Sequence, residues 1–386
     1  MTEFKEELEE TISTVKQLKR YVNLAPDEAK MLEKIIKVHP MRISPYYMSL
    51  IDWNNPDDPI RKMAVPSVEE LSLEGTYDTS GETENTVVPG LQHKYTETAL
   101  ILATNQCAMY CRHCFRKRLV GLPNEETLKR FEDAAAYIAK HQEINNVLIS
   151  GGDPFMLESE IIKRFLEVLD KIKHVRFIRI GSRVPVTLPS RLSDSKLLAI
   201  LRNGSKSDKR LHVVTHFNHP REITPQSIGA VNNLLKAGVL VSNQTVLLAG
   251  VNDNPDTIAT LMNNLVSIGV VPYYLFQCRP VRRVKGQFQV PLCKGSKIVE
   301  KAKASCNGLS KRFKYIMSHV TGKLEILGIM DGEIYFKFHE AKNRENLGVM
   351  FKCQVDEDAG WLDDLRDAKW SSVFKSEFFP NITGAS

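Results

Sequence analysis

The stretch TNQCAMYCRHCFRKR, residues 104–118, sets Cys107, Cys111 and Cys114 at C-x3-C-x2-C spacing, with His113 between the last two and Arg112, Arg116, Lys117 and Arg118 around them. Three thiolates alone leave zinc one ligand short of its tetrahedral shell, and an odd count cannot pair off into disulfides. Three thiolates can hold three irons of a [4Fe–4S] cluster and leave the fourth iron open to an outside ligand. The alternative is zinc completed by His113 or His216. Against it, His113 lies between two cysteines and no second CxxC pair appears elsewhere. The remaining cysteines, 278, 293, 306 and 353, have no secreted-disulfide rhythm, so a reducing, cytoplasmic compartment is expected.

Such a loop needs a scaffold, and the sequence supplies one between residues 99 and 304. Short β-branched runs recur: ALILATNQ (99–106), VLISGGDP (147–154), FIRIGSR (177–183), HVVTHFN (212–218), VSNQTVLL (241–248) and PYYLFQC (272–278). Between them helical periodicity covers 124–141, 158–172, 194–203, 225–238 and 255–269, with another at 296–304. In the first of these, Leu128, Phe131, Ala135 and Ile138 recur at three and four, as one apolar helix face requires. Strands alternating with helices imply a parallel sheet, because each crossover returns the chain in the same direction. An open doubly wound sheet and a curved, incomplete barrel both satisfy that pattern. Each strand ends in a polar, often glycine-bearing stretch, and parallel α/β folds build their sites at those carboxyl ends. One large cofactor-lined pocket is the expectation.

Bulk properties agree with an ordinary soluble protein with a substantial core: 386 residues, 42% hydrophobic and 25% charged. No apolar run approaches the roughly 18 residues of a membrane span, and the polar start MTEFKEELEE is no secretory signal. The net charge of +6 is mild, with basic clusters at 112–118 and 279–285. Arginines beside a cofactor motif are expected to hold small-molecule carboxylates or phosphates rather than nucleic acid.

The triple-cysteine motif, with an aromatic residue before its last cysteine, resembles the radical S-adenosylmethionine superfamily. That resemblance implies an α/β fold with a partial (β/α)6 TIM-type barrel, whose open iron chelates S-adenosylmethionine. His113 would then lie near the adenine, and Gly151, Gly152 and Asp153 of SGGDP would receive the methionyl amino group. More closely, CRHCFRKR, SGGDPFML, RIGSRVPVTLPSR, THFNHPREITP, NQTVLLAGVND and YYLFQC resemble the lysine 2,3-aminomutase family, in the same order, from about residue 40 to 325. The family moves an amino group from C2 to C3 of an amino acid by a radical route that uses pyridoxal phosphate. By this resemblance Arg116 pairs with the substrate carboxylate, Lys323 binds the pyridoxal aldehyde, and Gln244 and Tyr95 belong to the pyridoxal pocket. The expected organisation is a mainly helical N-terminal region (1–92), the barrel (93–325) and a small C-terminal extension (326–386).

The departures from the family are informative. Thr98 stands where the family has an arginine for the cofactor phosphate, and only Gly322 remains of the glycines before Lys323. The family's C-terminal zinc cysteines have no counterpart, so no structural zinc is expected. Arg279, after FQC, replaces an aspartate that reads the lysine ammonium, and the second such aspartate falls near Ile316. Both changes remove negative charge, which favours an acidic substrate such as glutamate. Alternatives are lysine 2,3-aminomutase proper, a radical enzyme of the same family acting without pyridoxal phosphate, and a non-catalytic zinc or nucleic-acid module. Flavodoxin or ferredoxin is the expected electron donor, the substrate is a small amino acid, no membrane or nucleic acid is involved, and a homo-oligomer is left open.

Overall fold

The computed structural model describes residues 3–365, so 366–386 of the expected C-terminal extension lie outside the described residues. Twelve strands join one sheet in chain order: β1 (Thr86–Val88), β2 (Leu91–Tyr95), β3 (Thr98–Thr104), β4 (Asn146–Gly151), β5 (Phe177–Gly181), β6 (Arg210–Thr215), β7 (Leu240–Leu247), β8 (Val271–Gln277), β9 (Lys314–His319), β10 (Gly322–Met330), β11 (Glu333–Ala341) and β12 (Met350–Gln354). Strands β3 to β9 pair in parallel. An antiparallel hairpin, β1–β2, extends one edge, and β10–β12 extend the other.

Six helices follow β3 to β8: Phe131–Lys140, Ser159–Asp170, Ser195–Ser205, Pro225–Lys236, Pro255–Ser267 and Leu292–Ala304. Each presents one apolar stripe to the sheet. In Ser159–Asp170 that stripe is Ile162, Phe165, Leu166 and Leu169, all buried, and Phe165 stacks on Phe131 of the preceding helix at 4.1 Å. Burying one such side chain contributes about 1.5–3 kcal/mol. The strands show the matching period of two: in β7, Val241, Asn243, Thr245 and Leu247 are buried, while Ser242, Gln244 and Val246 on the other face are half-buried. That second face is half-buried because a cavity lies inside the curve, and side chains from β2 through β10 line it. This is the partial (β/α)6 barrel, with one further parallel strand, β9, that the sequence pattern did not reveal.

Two helix starts differ from expectation. The helix expected over 124–141 begins at Phe131. The Asn124 side chain takes the backbone N–H groups of Glu126 and Thr127, and Leu128 N–H bonds the Leu102 carbonyl at 2.8 Å. Leu128 therefore packs on the β2–β3 end, against Gly90, whose Cβ would collide with it. The helix expected over 296–304 starts earlier, at Leu292. The expected boundaries 92/93 and 325/326 both fall inside strands, β2 and β10, so the flanking regions continue the barrel's own hydrogen bonding.

The N-terminal helices clamp the cysteine loop from outside. Tyr110 N–H bonds Arg42 O at 3.0 Å and Arg112 N–H bonds Met63 O at 2.9 Å. The Arg112 guanidinium forks onto Glu70 at 2.7 and 2.5 Å, and Lys117 reaches the same carboxylate at 2.6 Å. Burial would raise the Glu70 pKa, but Arg112 and Lys117 overcome it and hold the carboxyl at about 2. The basic cluster at 112–118 thus faces inward.

Candidate active site

Twelve of the residues singled out from the sequence line a single cavity of ≈ 320 Å³: Cys107, Cys111, Cys114, His113, Arg116, Gly151, Gly152, Asp153, Gln244, Arg279, Tyr95 and Lys323, with Thr98 beside them. Ile316 does not line it; Ser318, two residues on along the same face of β9, does.

The cysteine end is built by close backbone packing. Gly152 N–H bonds Thr104 O at 2.5 Å and Asp153 N–H bonds Gln106 O at 2.7 Å, zipping the end of β4 to the start of the cysteine loop. Gly151 has φ +116, and a Cβ on either glycine would strike backbone atoms of residues 104–106. Asp153 is buried and accepts four hydrogen bonds, from Ser182 Oγ, Phe155 N, Arg183 N and Val184 N. Its oxygens are saturated, so it fixes the turn rather than presenting a free carboxylate to a ligand. Burial raises its pKa against those bonds.

Burial also pushes the Cys114 thiol up to about 11 and Cys107 well above its ordinary value, so binding iron displaces protons. Arg183 Nη1 lies 2.7 Å from Cys111 Sγ while its Nη2 pairs with Glu222 at 2.6 Å. No group of three His, Cys, Asp or Glu among the described residues is disposed to hold a single metal ion. His113 and His216 meet edge to face at 5.7 Å, and burial lowers both rings' pKa, His216 to about 3. His113 Nδ1 and Thr215 Oγ1 are buried without a hydrogen-bond partner while their residues line the cavity. Orphaned polar atoms at a cavity wall fit a polar ligand such as S-adenosylmethionine.

At the other end, Lys323 enters from β10. Its Nζ bonds Glu340 of β11 at 2.7 Å and sits over the rings of Tyr95 and Tyr274, at 5.2 and 5.3 Å from their centres. Burial lowers its pKa, Glu340 opposes this, and Arg179 and Arg279 lower it further. An amine so placed is a suitable nucleophile for an aldehyde. A register shift between Gln92 and Tyr95 lets the consecutive residues Lys94 and Tyr95 both reach the cavity.

The two arginines expected at the substrate differ. The Arg116 fork is largely occupied: Nε and Nη2 meet Glu82 Oε1 at 3.0 Å, and Nη1 donates to Ser150 Oγ at 3.1 Å. Glu82 also pairs with Arg118 at 2.8 Å. Arg279 has no carboxylate within ion-pair distance among the described residues; it donates to Ser80 Oγ at 2.8 Å and Ser318 Oγ at 2.9 Å and lies over the Phe115 ring. The basic neighbours in the 279–285 cluster turn elsewhere, Arg283 to Glu70 O and Lys285 to Asp364.

Sequence reasoning missed Glu82, Ser80, Lys94, Arg179, Arg183, Ser318 and Glu340. Arg179 and Arg183 carried a signal, since Arg179 is a charge inside an apolar strand and Arg183 ends the same polar stretch. Glu82 carried none, sitting in a polar loop like any other. Lys94 donates to Ser80 O and His319 O; burial, then Arg279 and Lys323, push its pKa down to about 7.

Residues 101–262 match the Radical SAM superfamily model. A protein of Aquifex aeolicus (strain VF5) with a provisional L-lysine 2,3-aminomutase name is 42% identical over 371 residues, 96% of this chain and 97% of its own. The L-lysine 2,3-aminomutase of Acetoanaerobium sticklandii is 40% identical over 312 residues, 79% of this chain and 73% of its own. The glutamate 2,3-aminomutase of Clostridioides difficile (strain 630) is 34% identical over 309 residues, 80% of this chain and 72% of its own. Near-complete coverage, together with the cysteine loop at the carboxyl end of the first barrel strand, means that this chain belongs to the lysine 2,3-aminomutase family of radical S-adenosylmethionine enzymes.

Proposed function

We propose that the protein is an amino acid 2,3-aminomutase acting with pyridoxal phosphate on a substrate whose side chain is acidic, glutamate being the reference case. Family membership makes it an isomerase that uses a [4Fe–4S] cluster and S-adenosylmethionine. When bound, these two supply a 5′-deoxyadenosyl radical, and pyridoxal phosphate holds the substrate nitrogen and delocalises the unpaired electron.

The chain's residues divide the remaining work. Cys107, Cys111 and Cys114 ligate iron, and His113 offers its free Nδ1 towards the adenine. The Gly151–Gly152 turn brings backbone close to the methionyl end. Lys323 holds the cofactor aldehyde, with Tyr95 against its ring and Gln244 near its phosphate. Arg116, neutralised in part by Glu82, orients the substrate α-carboxylate through its remaining donor capacity.

One observation carries the reading: the three thiols and the Lys323 amine line the same cavity. The acidic preference rests on Arg279. A substrate ammonium there would face a guanidinium, and an unpaired buried charge costs several kcal/mol. A carboxylate would instead gain charge-assisted hydrogen bonds. The electron comes from flavodoxin or ferredoxin in the cytoplasm; no helix among the described residues is long and apolar enough to cross a membrane.

The test is anaerobic incubation of cluster-reconstituted protein with S-adenosylmethionine, reductant, pyridoxal phosphate and either glutamate or lysine. Formation of the β-amino acid from glutamate, with slower turnover of lysine, is expected. Deoxyadenosine without any β-amino acid would favour the family reading without pyridoxal phosphate.

A further inference from the structure

The lysine that enters the cavity from β10 has a carboxylate opposite it on the next strand. Lys323 and Glu340 are direct partners in the β10–β11 ladder, and Glu340 lies beyond the stretch that resembles the aminomutase family. Glu340 Oε2, 2.7 Å away, is the one hydrogen-bond acceptor of Lys323 Nζ among the described residues. A Cβ on Gly322 would collide with the Glu340 carbonyl, so the glycine before the lysine lets β11 approach closely. The next residue of β10, Leu324, pairs with Phe338, which leaves His339 as a bulged extra residue. The bulge aims two consecutive side chains at the lysine's surroundings: Glu340 at Nζ, and His339 Nε2 at the Tyr274 hydroxyl, 2.8 Å away.

An ammonium has no lone pair, so Lys323 must lose a proton before it can bond a carbonyl carbon. The groups facing it are Glu340 and His339 from β11, Arg179 from β5, Tyr274 from β8, Arg279 just after β8, and Lys94 and Tyr95 from β2. Arg179, Arg279 and Lys94 are engaged as donors elsewhere. His339 and Tyr274 are bonded to each other. Only Glu340 hydrogen-bonds Nζ. Its side chain is 31% exposed against 15% for Lys323, so the carboxylate reaches from the buried amine towards solvent. Burial would raise its carboxyl, but Lys323, His339 and Arg179 overcome this and hold it below the usual range. Glu340 is therefore ionised at neutral pH and stands at the distance from which a base takes a proton.

We propose that Glu340 is the general base for Lys323, an inference that rests on the reading of Lys323 as the aldehyde-binding lysine. Nζ surrenders one proton to Glu340 Oε2 and uses the freed lone pair to bond the aldehyde carbon. The aldehyde oxygen leaves as water with the two protons that remain on nitrogen. Glu340 then returns its proton to the nitrogen of the new C=N bond. Atoms and charge balance with no further reactant. The carboxylate is more than a counter-ion to a buried ammonium, and the bulge at His339 is what delivers it.

A base and a counter-ion predict opposite rate changes. Cluster-reconstituted wild type, Glu340→Gln and Glu340→Ala are mixed with pyridoxal phosphate and quenched with borohydride at set times, and peptide mapping locates the adduct. The series runs from about pH 6 to 10, approaching the ordinary lysine value. At pH ~7, Glu340→Gln should attach the aldehyde more slowly than wild type by on the order of 100-fold, with the gap narrowing towards pH ~10, where solvent base strips the amine. Formate should restore part of the rate to Glu340→Ala, which a purely structural loss would not allow. A counter-ion alone gives the reverse: its removal lowers the pKa of the amine, so Glu340→Gln reacts at least as fast as wild type near pH ~7 and its profile moves to lower pH. That result, or no response of Glu340→Ala to formate, would overturn the base. Should wild type carry no adduct, or carry it on another lysine, the reading of Lys323 falls and the base with it. An adduct on Lys323 with an undiminished rate in Glu340→Gln sinks the base alone.

Discussion

Lys323 Nζ lies 5.2 Å above the centre of the Tyr95 ring, although Lys323 belongs to β10 and Tyr95 to β2. In a flat sheet, strands eight places apart would be about 38 Å from one another. The contact therefore measures how far the sheet has curled. It also brings the Lys323 amine into the cavity that the cysteine loop lines.

Lys323→Ala should abolish borohydride-stable attachment of pyridoxal phosphate while leaving reductive cleavage of S-adenosylmethionine largely intact, because the lysine is remote from the thiols in role. Peptide mapping of the reduced wild type checks the site. A label on Lys94 instead would move the assignment to the second cavity lysine.

Replacing Cys107, Cys111 or Cys114 by alanine should each remove the cluster and deoxyadenosine formation, since every thiolate ligates one iron. Iron and sulfide content measures this before any assay. Chelation of iron from the wild type should have the same effect. A single variant that keeps a full cluster contradicts the ligand set.

Arg279→Asp should shift the ratio of kcat/KM for glutamate over lysine towards lysine by at least about tenfold, the equivalent of 1.4 kcal/mol. The change converts an unpaired guanidinium beside Ser80 and Ser318 into a carboxylate. An unmoved ratio would mean that Arg279 does not read the side chain.

The Lys94 amine, with its pKa pushed down to about 7 from 10.5, makes stability depend on pH. Below about pH 7 it is charged both folded and unfolded, and the folded state bears the full penalty of a buried ammonium. As pH rises above 7 the folded state sheds the proton first, so stability climbs until the unfolded lysine also deprotonates. Urea unfolding between pH 7 and 10 should show this contribution, up to about 1.4 kcal/mol per pH unit. Lys94→Met should flatten it.

Glu70→Ala would leave the buried Arg112 and Lys117 without their shared carboxylate. Removing one partner of a buried ion network typically costs about 3–5 kcal/mol, so a clear fall in unfolding temperature and poor cluster retention are expected. Equal stability of variant and wild type would show that the clamp on the cysteine loop is dispensable.

The sequence by itself determined what depends on local order along the chain. Cysteine spacing, SGGDP and the alternation of strand and helix are short-range patterns, and hydrophobic periodicity reports them directly. They pointed to a parallel α/β fold, open or curved, and to three thiolates suited to iron; resemblance added the barrel form, Lys323 and Arg279. The end of a helix was less legible: Leu128 fitted the helical period, yet a bond to Leu102 and the space over Gly90 drew it onto the sheet. What only the tertiary structure decided is which charges meet. Glu82 takes up most of Arg116, Glu340 engages Lys323 across the β10–β11 pair, Arg279 reaches Ser80 from 199 residues away, and neither Arg179 nor Arg279 has a carboxylate ion pair among the described residues. The contacts between the two antiparallel edges, such as Arg279 with Ser80 and Lys323 with Tyr95, are set by the curl of the sheet around one cavity. No local pattern encodes it, because the energy of a buried charge depends on partners supplied by distant strands.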